Sequence, residues 1–316
     1  MSLAIRFLGT VASRPTVERG VSALAIVREG DTLLFDCGEG TQRQMMRYGI
    51  SFALNDIFIT HWHHDHFLGL LGLVRTLALQ GRTEPLRVWG PRGGARMLRH
   101  ADLLGPDRLT FPLEVNEVTP GQSISRGEYR VVPFAVEHRG SVALGYALVE
   151  DERRGRFNPD LARDLGIPEG PLWGRLHRGE SVSLADGRVV TAETLVGPTR
   201  SGRTIVYTGD TRPCEATVTA ARGADVLIHE ATFGDEEAER AGETGHSTAR
   251  EAAIIAARAG VKRLILTHVS ARYSRDTSEL EAQARDAFAA TQVARDGVEV
   301  VVRFAEEPDL KPAVPG

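Results

Sequence analysis

The stretch that most restricts how this chain can fold is ITHWHHDHFLGL, Ile59 to Leu70. It sets four of the chain's ten histidines and an aspartate into six consecutive positions, directly behind the strand-like run DIFIT. The pattern predicts a buried strand that stops at a cluster of imidazoles, then a helix whose leucines (FLGLLGLVRTLALQG) pack on a sheet. His61 and His63, at i and i+2, point to one side in extended geometry. Asp65 and His66 follow on the next turn and can face a neighbouring point, so the cluster offers ligands for two metal ions rather than one. Neutral imidazole with carboxylate suits zinc, while iron and manganese are compatible with the same ligand types. A solvated polar loop is the competing account, but burying this many polar groups unpaired would be costly. His64 lies between the ligands and is expected to point elsewhere.

A paired site needs further donors, and later strand-like runs provide them. His138 closes VVPFAVEH, Asp210 closes TIVYTGD and His268 closes RLILTH. Each polar residue stands where an apolar strand is expected to stop, which is where active sites collect in layered α/β folds. Asp210, with two oxygens, is the best candidate for a bridge between two ions.

The remaining runs fit this frame. LAIRFLG, SALAIVRE and TLLFDCG read as strands, as do LRVWG, LEVNEV, SISRGEYRVVPFAVEH, VALGYALVE and DVLIHEAT. STAREAAIIAARAG reads as a helix opened by a capping box of Thr248 and Glu251. Two strand-rich halves with intervening helices predict two sheets packed face to face with helices outside. A polar, Pro/Gly-punctuated segment interrupts the series at about residues 151–180.

Composition closes off other classes. No run reaches the ~18 apolar residues a membrane span needs, and MSLAIRFLGT is too short for a secretory signal. Two cysteines, Cys37 and Cys214, provide no disulfide framework and fit a reducing cytosol. A net charge of -4 means that any nucleic-acid contact must come from a local basic patch.

THWHHDH resembles the HxHxDH signature of the metallo-β-lactamase superfamily, whose later ligands match His138, Asp210 and His268. FLGTVASRPT, LLFDCGEGTQRQ, GIPEGPLWGRLHRGE, YTGDTRP, HEATF, GHSTAREAA and LTHVSARY are similar, in order, to the landmarks of ribonuclease Z, the endonuclease that trims the 3′ end of precursor tRNA. HxHxDH alone identifies only the superfamily; the Gly-Pro segment with HEATF and GHST narrows the resemblance to ribonuclease Z, and it covers nearly the whole chain. It implies a single αβ/βα sandwich domain, residues 1–316, of two packed sheets with outer helices, and an inserted exosite arm at about 151–180.

The resemblance also implies two Zn2+ per subunit, one held by His61, His63 and His138, the other by Asp65, His66 and His268, with Asp210 bridging. Zinc lowers the pKa of bound water to about 7, so a nucleophile exists at neutral pH. Asp65 would also accept the water's proton, His246 would protonate the leaving 3′ oxygen and Glu230 would orient it. His229 is expected to be structural, and neither His100 nor His177 has a catalytic case. The expected partner is precursor tRNA, with no membrane, and the expected assembly is a cytoplasmic homodimer. In the arm, Arg153, Arg154, Arg156, Arg163, Arg175 and Arg178 form a dense basic set, and Gly170 and Pro171 mark a projecting, turn-rich segment that would grip the tRNA body.

One stretch departs from the family. Many members carry a Pro/Lys/Arg-containing loop before the HxHxDH strand, associated with rejecting transcripts that encode CCA; here YGISFALND contains none of these residues. Two rival functions are a small-substrate phosphodiesterase of the same superfamily, which should lack the Gly-Pro segment, and a non-catalytic metal-bound RNA-binding protein, which should have broken ligand positions.

Overall fold

Alternating apolar residues turn LAIRFLG and ALAIVR into neighbouring strands, Leu3–Gly9 and Ala23–Arg28, antiparallel with Ile5 opposite Ile26. In the computed structural model, which describes residues 2–99 and 108–305, they belong to the first of two seven-stranded mixed sheets. Its spatial order is Glu299–Val301, Leu3–Gly9, Ala23–Arg28, Asp31–Phe35, Asp56–Phe58, Leu86–Gly90 and Leu113–Glu117. The second runs Thr291–Val293, Leu264–Thr267, Val226–Glu230, Thr204–Tyr207, Leu144–Glu150, Tyr129–Ala135 and Ile124–Ser125.

Aromatic residues fill the space between the sheets. Phe35 and Phe58 of the first stack at 5.0 Å and meet Tyr146 of the second edge-on at 5.9 and 5.5 Å. Helices cover the outer faces. Helix His64–Leu79 lays Leu70, Leu73, Val74 and Leu77 on Leu34, Ile57 and Val88. On the other side, helix Ala249–Ala259 packs Ala252, Ala253, Ile255 and Ala256 on Leu227, Leu264 and Leu266; its small side chains let it lie close. Its capping box is present, with Thr248 accepting from Glu251 N and Glu251 accepting from Thr248 N. This is the helix-flanked α/β sandwich expected of the metallo-β-lactamase fold.

Three local expectations differ. The helix after the histidine cluster starts at His64, not at Phe67, so Asp65 and His66 occupy its first turn. SISRGEYRVVPFAVEH is two strands rather than one, because Gly127 adopts a positive φ of 77° and turns the chain. The arm is not merely turn-rich: Pro159 and Pro171 each begin a short helix, Pro159–Asp164 and Pro171–His177, since proline fits the first helical turn.

The described residues divide into two compact units, the smaller being 127–129 and 150–202. That unit has its own core of Ala162, Ile167, Leu176, Val182, Val190 and Leu195. It therefore extends past residue 180, because strands Val182–Ser183 and Val189–Val190 and helix Ala192–Leu195 complete that core. No helix among the described residues is long and apolar enough to cross a membrane. His100 lies outside the described residues.

Candidate metal centre

Strand ends from both sheets deliver the side chains to one place. Asp56–Phe58 runs out into His61 and His63, and the helix that follows carries Asp65 and His66. His138 lies three residues past Tyr129–Ala135, held by a bridge between Glu137 and Arg212. Asp210 lies three past Thr204–Tyr207, and His268 directly follows Leu264–Thr267. Gly209 before Asp210 has φ of 61°, and a Cβ there would lie 2.6 Å from the Thr60 side chain, so only glycine allows this close crossing.

The donor atoms fall into adjoining groups, two of which contain the candidate ligands, while a third joins Asp210 and His268 to His246. His61, His63, His138 and Asp210 offer one, and Asp65, His66 and His268 the other; within each, the offered atoms lie within 4.8 Å of one another. Asp210 faces both: its Oδ2 is 3.6 Å from His61 Nε2, and its Oδ1 is 3.3 Å from His66 Nε2 and 3.2 Å from His268 Nε2. His66 Nε2, His268 Nε2 and Asp210 Oδ1 are buried without a hydrogen-bond partner. Orphaned buried polar atoms are rare in folded proteins. Three of them converging as lone-pair donors fit a cation.

The electrostatics agree. Burial opposes a charge on His66, yet Asp210 and Asp36 outweigh it and hold its imidazole well above the ordinary value. Burial would likewise raise Asp210, but His268 and His66 keep it well below the usual carboxylate range. Asp65 is lowered against its burial by the neighbouring imidazoles of His268, whose Nε2 lies 3.5 Å from Asp65 Oδ2, and His66. Burial, reinforced by the charge of His66, pushes His61 down. The cluster thus joins ionised carboxylates, Asp65 and Asp210, to imidazoles that burial keeps neutral, His61 and His63, a donor set that a metal ion can use.

The outward nitrogen of each candidate imidazole is also engaged. His61 Nδ1 meets Thr60 Oγ1 at 3.1 Å, His66 Nδ1 meets Asp36 Oδ2 at 2.8 Å, and His63 Nε2 meets Ser141 Oγ at 2.9 Å. His138 Nδ1 donates to the Gly245 carbonyl at 2.9 Å, and His268 Nδ1 meets Thr232 Oγ1 at 3.0 Å. Such outer contacts typify metal-binding histidines. Asp36, Thr60, Ser141 and Thr232 were not singled out from the sequence. Asp36 had a usable signal, because it closes the strand-like run TLLFD as Asp210 closes TIVYTGD.

The half-buried His246 pairs with the buried Glu230, Nδ1 to Oε1 at 2.7 Å, with the His246 ring 5.0 Å from that of His138 and 5.4 Å from that of His268. Burial disfavours the imidazolium, but Glu230 outweighs it and holds His246 at about 9. Glu230 is completely buried rather than a solvated loop acid, and it is kept ionised by His246 against its burial. A cleft of about 470 Å3 opens beside the pair, lined by Ser13, Arg14, Phe233, Arg240, His246 and Arg272.

The other histidines face away. His64 Nε2 donates to Ser13 O at 2.9 Å, His229 Nδ1 donates to Glu230 O at 2.8 Å, and His177 Nε2 donates to Gly155 O. Cys37 and Cys214 are buried free thiols, and burial pushes Cys37 up to about 12.

In the small unit the arginines are less available than their number suggests. Six carboxylates match the six arginines between Asp151 and Glu180. Arg163 pairs with Asp160 and Glu169, and Arg175 and Arg178 both pair with Glu180. Arg154 donates to the His177 carbonyl and Arg153 to that of Ser201, while Arg156 accepts through its backbone carbonyl from Gly197 N. Gly170 caps the helix that Pro171 begins, with φ of 127°.

A β-lactamase superfamily domain model matches residues 31–199 and 194–269. A ribonuclease Z of Gemmatimonas aurantiaca is 66% identical over 308 residues, covering 97% of this chain and 98% of that protein. A ribonuclease Z of Myxococcus xanthus is 52% identical, covering 94% and 97%. Among solved structures, the short form of human tRNase Z superposes with a TM-score of 0.69 at 28% identity, covering 95% of this chain and all of that one.

Proposed function

The chain belongs to the ribonuclease Z family of the β-lactamase superfamily, and on that premise we propose that it is the endoribonuclease that removes the 3′ trailer from precursor tRNA. The products are a 3′-hydroxyl on the tRNA and a 5′-phosphate on the trailer. The observation that carries this reading is the set of buried, unpartnered donors on His66, His268 and Asp210, adjoining the pair of half-buried His246 and buried Glu230.

In this reading His61, His63 and His138 would hold one zinc ion and Asp65, His66 and His268 another, with Asp210 placed to serve both. Bound there, the metal pair supplies an activated water and a positive clamp on the phosphodiester. The chain's own groups do the rest. Asp65, kept ionised, accepts the water's proton as oxygen attacks phosphorus. The bond to the ribose 3′ oxygen breaks, and His246, oriented by Glu230, gives that oxygen a proton. The cleft beside His246, with its three arginines, suits a polyanionic strand entering the site. Two buried free thiols fit work in the cytoplasm, where we place the enzyme as a homodimer.

Purified protein incubated with an end-labelled precursor tRNA should release a 5′-phosphorylated trailer, and a chelator should stop the reaction until zinc is restored. Cleavage of a small phosphodiester without any cleavage of precursor tRNA would favour the small-substrate rival instead.

The small unit is the exosite in this proposal, with Arg153, Arg154, Arg156, Arg175 and Arg178 near phosphates and Gly170 and Pro171 shaping the helix start. Arg153 and Arg200 exchange backbone hydrogen bonds of 2.7 and 2.8 Å, so the unit's ends lie side by side. Excising residues 153–200 and joining the ends with a short Gly/Ser linker should weaken precursor binding. Every phosphate that the unit neutralises adds about one to the slope of log affinity against log salt, so excision should flatten that slope. Because its carboxylates already neutralise several arginines, the flattening should be small, about one to three on that scale. Hydrolysis of a small chromogenic phosphodiester should survive; equal loss on both substrates would refute the exosite role.

A further inference from the structure

Two buried threonines stand between a buried carboxylate and a candidate metal ligand. Thr60 Oγ1 is 3.0 Å from both oxygens of Asp36 and 3.1 Å from His61 Nδ1. Thr232 Oγ1 is 2.7 Å from Glu230 Oε2 and 3.0 Å from His268 Nδ1. The two constructions come from opposite sheets and share the chain order acid, threonine, histidine at different spacings, Asp36–Thr60–His61 and Glu230–Thr232–His268.

A hydroxyl has one proton and can give it to one partner. Each carboxylate is already an acceptor for other donors. Asp36 accepts from Thr60 N, His66 Nδ1 and Tyr207 Oη, each at 2.8 Å. Glu230 accepts from Thr211 N at 2.9 Å, Thr232 N at 3.2 Å and His246 Nδ1 at 2.7 Å. A carboxylate so surrounded acts as the acceptor, and a hydroxyl bond to an ionised oxygen is stronger than one to a neutral ring nitrogen. Each threonine proton therefore goes to the carboxylate, which leaves the oxygen lone pair to accept from the imidazole. His61 and His268 must then carry their protons on Nδ1, so Nε2 turns a lone pair toward the ligand cluster.

We propose that Thr60 and Thr232 are positioning residues that set the metal-binding tautomer of His61 and His268, one for each ion. The inference rests on the ligand assignment given above. Thr232 has a second consequence, because its carboxylate partner also holds His246. One glutamate thus orients both a ligand of the second ion and the proton donor, through opposite oxygens.

The alternative is that both threonines merely fill space, in which case valine, of the same branched shape, should serve as well. Losing an outer partner of a metal ligand typically weakens metal affinity by about 10–100-fold. Zinc affinities measured by competition with a chromophoric chelator should show one of the two ions weakened by that factor in Thr232→Val and restored in Thr232→Ser. Thr60→Val should weaken the other ion, so that the double variant holds neither tightly; a double variant that keeps one tight ion would overturn the one-to-one assignment. His268→Ala is the reference. If it keeps both ions at full affinity, the ligand assignment is wrong; if it loses one while Thr232→Val keeps both, the positioning role is wrong. A measurement on the unaltered protein guards against variants that fail to fold. Long-range proton–nitrogen NMR spectra should place the ring protons of His61 and His268 on Nδ1, and protons on Nε2 would overturn the proposal.

Discussion

Replacing Asp210 by alanine should reduce cleavage of precursor tRNA to background, a loss of more than about a thousandfold, because in the proposed mechanism both the activated water and the phosphate clamp depend on the ions it would help hold. No other candidate ligand faces both donor groups. Its two oxygens lie 3.2–3.6 Å from His61, His66 and His268. Elemental analysis should find fewer than two zinc ions per chain, with both weakened rather than one. The buried imidazoles would also lose the anion they face, so the variant should melt at a lower temperature. A variant with full metal content and measurable activity would remove the bridging role.

His246→Ala should separate chemistry from binding. A general acid acts mainly in the transition state, and its loss typically lowers the rate by about 10²–10⁴-fold. Metal content and precursor affinity should stay close to the original, since His246 touches the ligand cluster through ring packing and Glu230 rather than through a necessary donor. The pH profile supplies a second readout. Glu230 raises the imidazole to about 9, so at neutral pH it is protonated and able to donate, and that ability is lost as pH rises through its pKa. Cations bound at Asp210 oppose that proton, so the alkaline fall should lie at or below pH 9. It should be missing from the alanine variant. Loss of zinc in His246→Ala would instead make the residue a ligand, an option its place in a third donor group with Asp210 and His268 keeps in view.

The sequence made the ligand cluster readable for a physical reason. His61, His63, Asp65 and His66 are neighbours in the chain, and His138, Asp210 and His268 each follow an apolar run, so residue type and strand ends carry the signal. Asp36 sits at an equally visible strand end, but its partners are Thr60, His66 and Tyr207, the last 171 residues away. Nothing local announces such a contact. Thr60 and Thr232 were hidden for the same reason, since a threonine beside a histidine is ordinary until its other neighbour is a buried carboxylate. Backbone conformation was equally silent: Asp36 and His268 adopt left-handed φ values of 54° and 55°, which non-glycine residues enter only when surrounding structure compels it. In the small unit, the six carboxylates that match the six arginines stand in the sequence, but which of them pair, and a core closing near residue 195, emerge only from packing.

The proposed ligands stretch from His61 to His268 and come from both sheets, so the paired site would be complete only once the chain extends past residue 268. Closing loops of that length is slow, and contacts between residues so far apart in sequence form late in folding. Metal capture should therefore follow docking of the two sheets rather than guide it. A full complement of metal would in effect mark a finished molecule, since a nascent chain ending before residue 210 would lack the residue proposed to bridge the two ions.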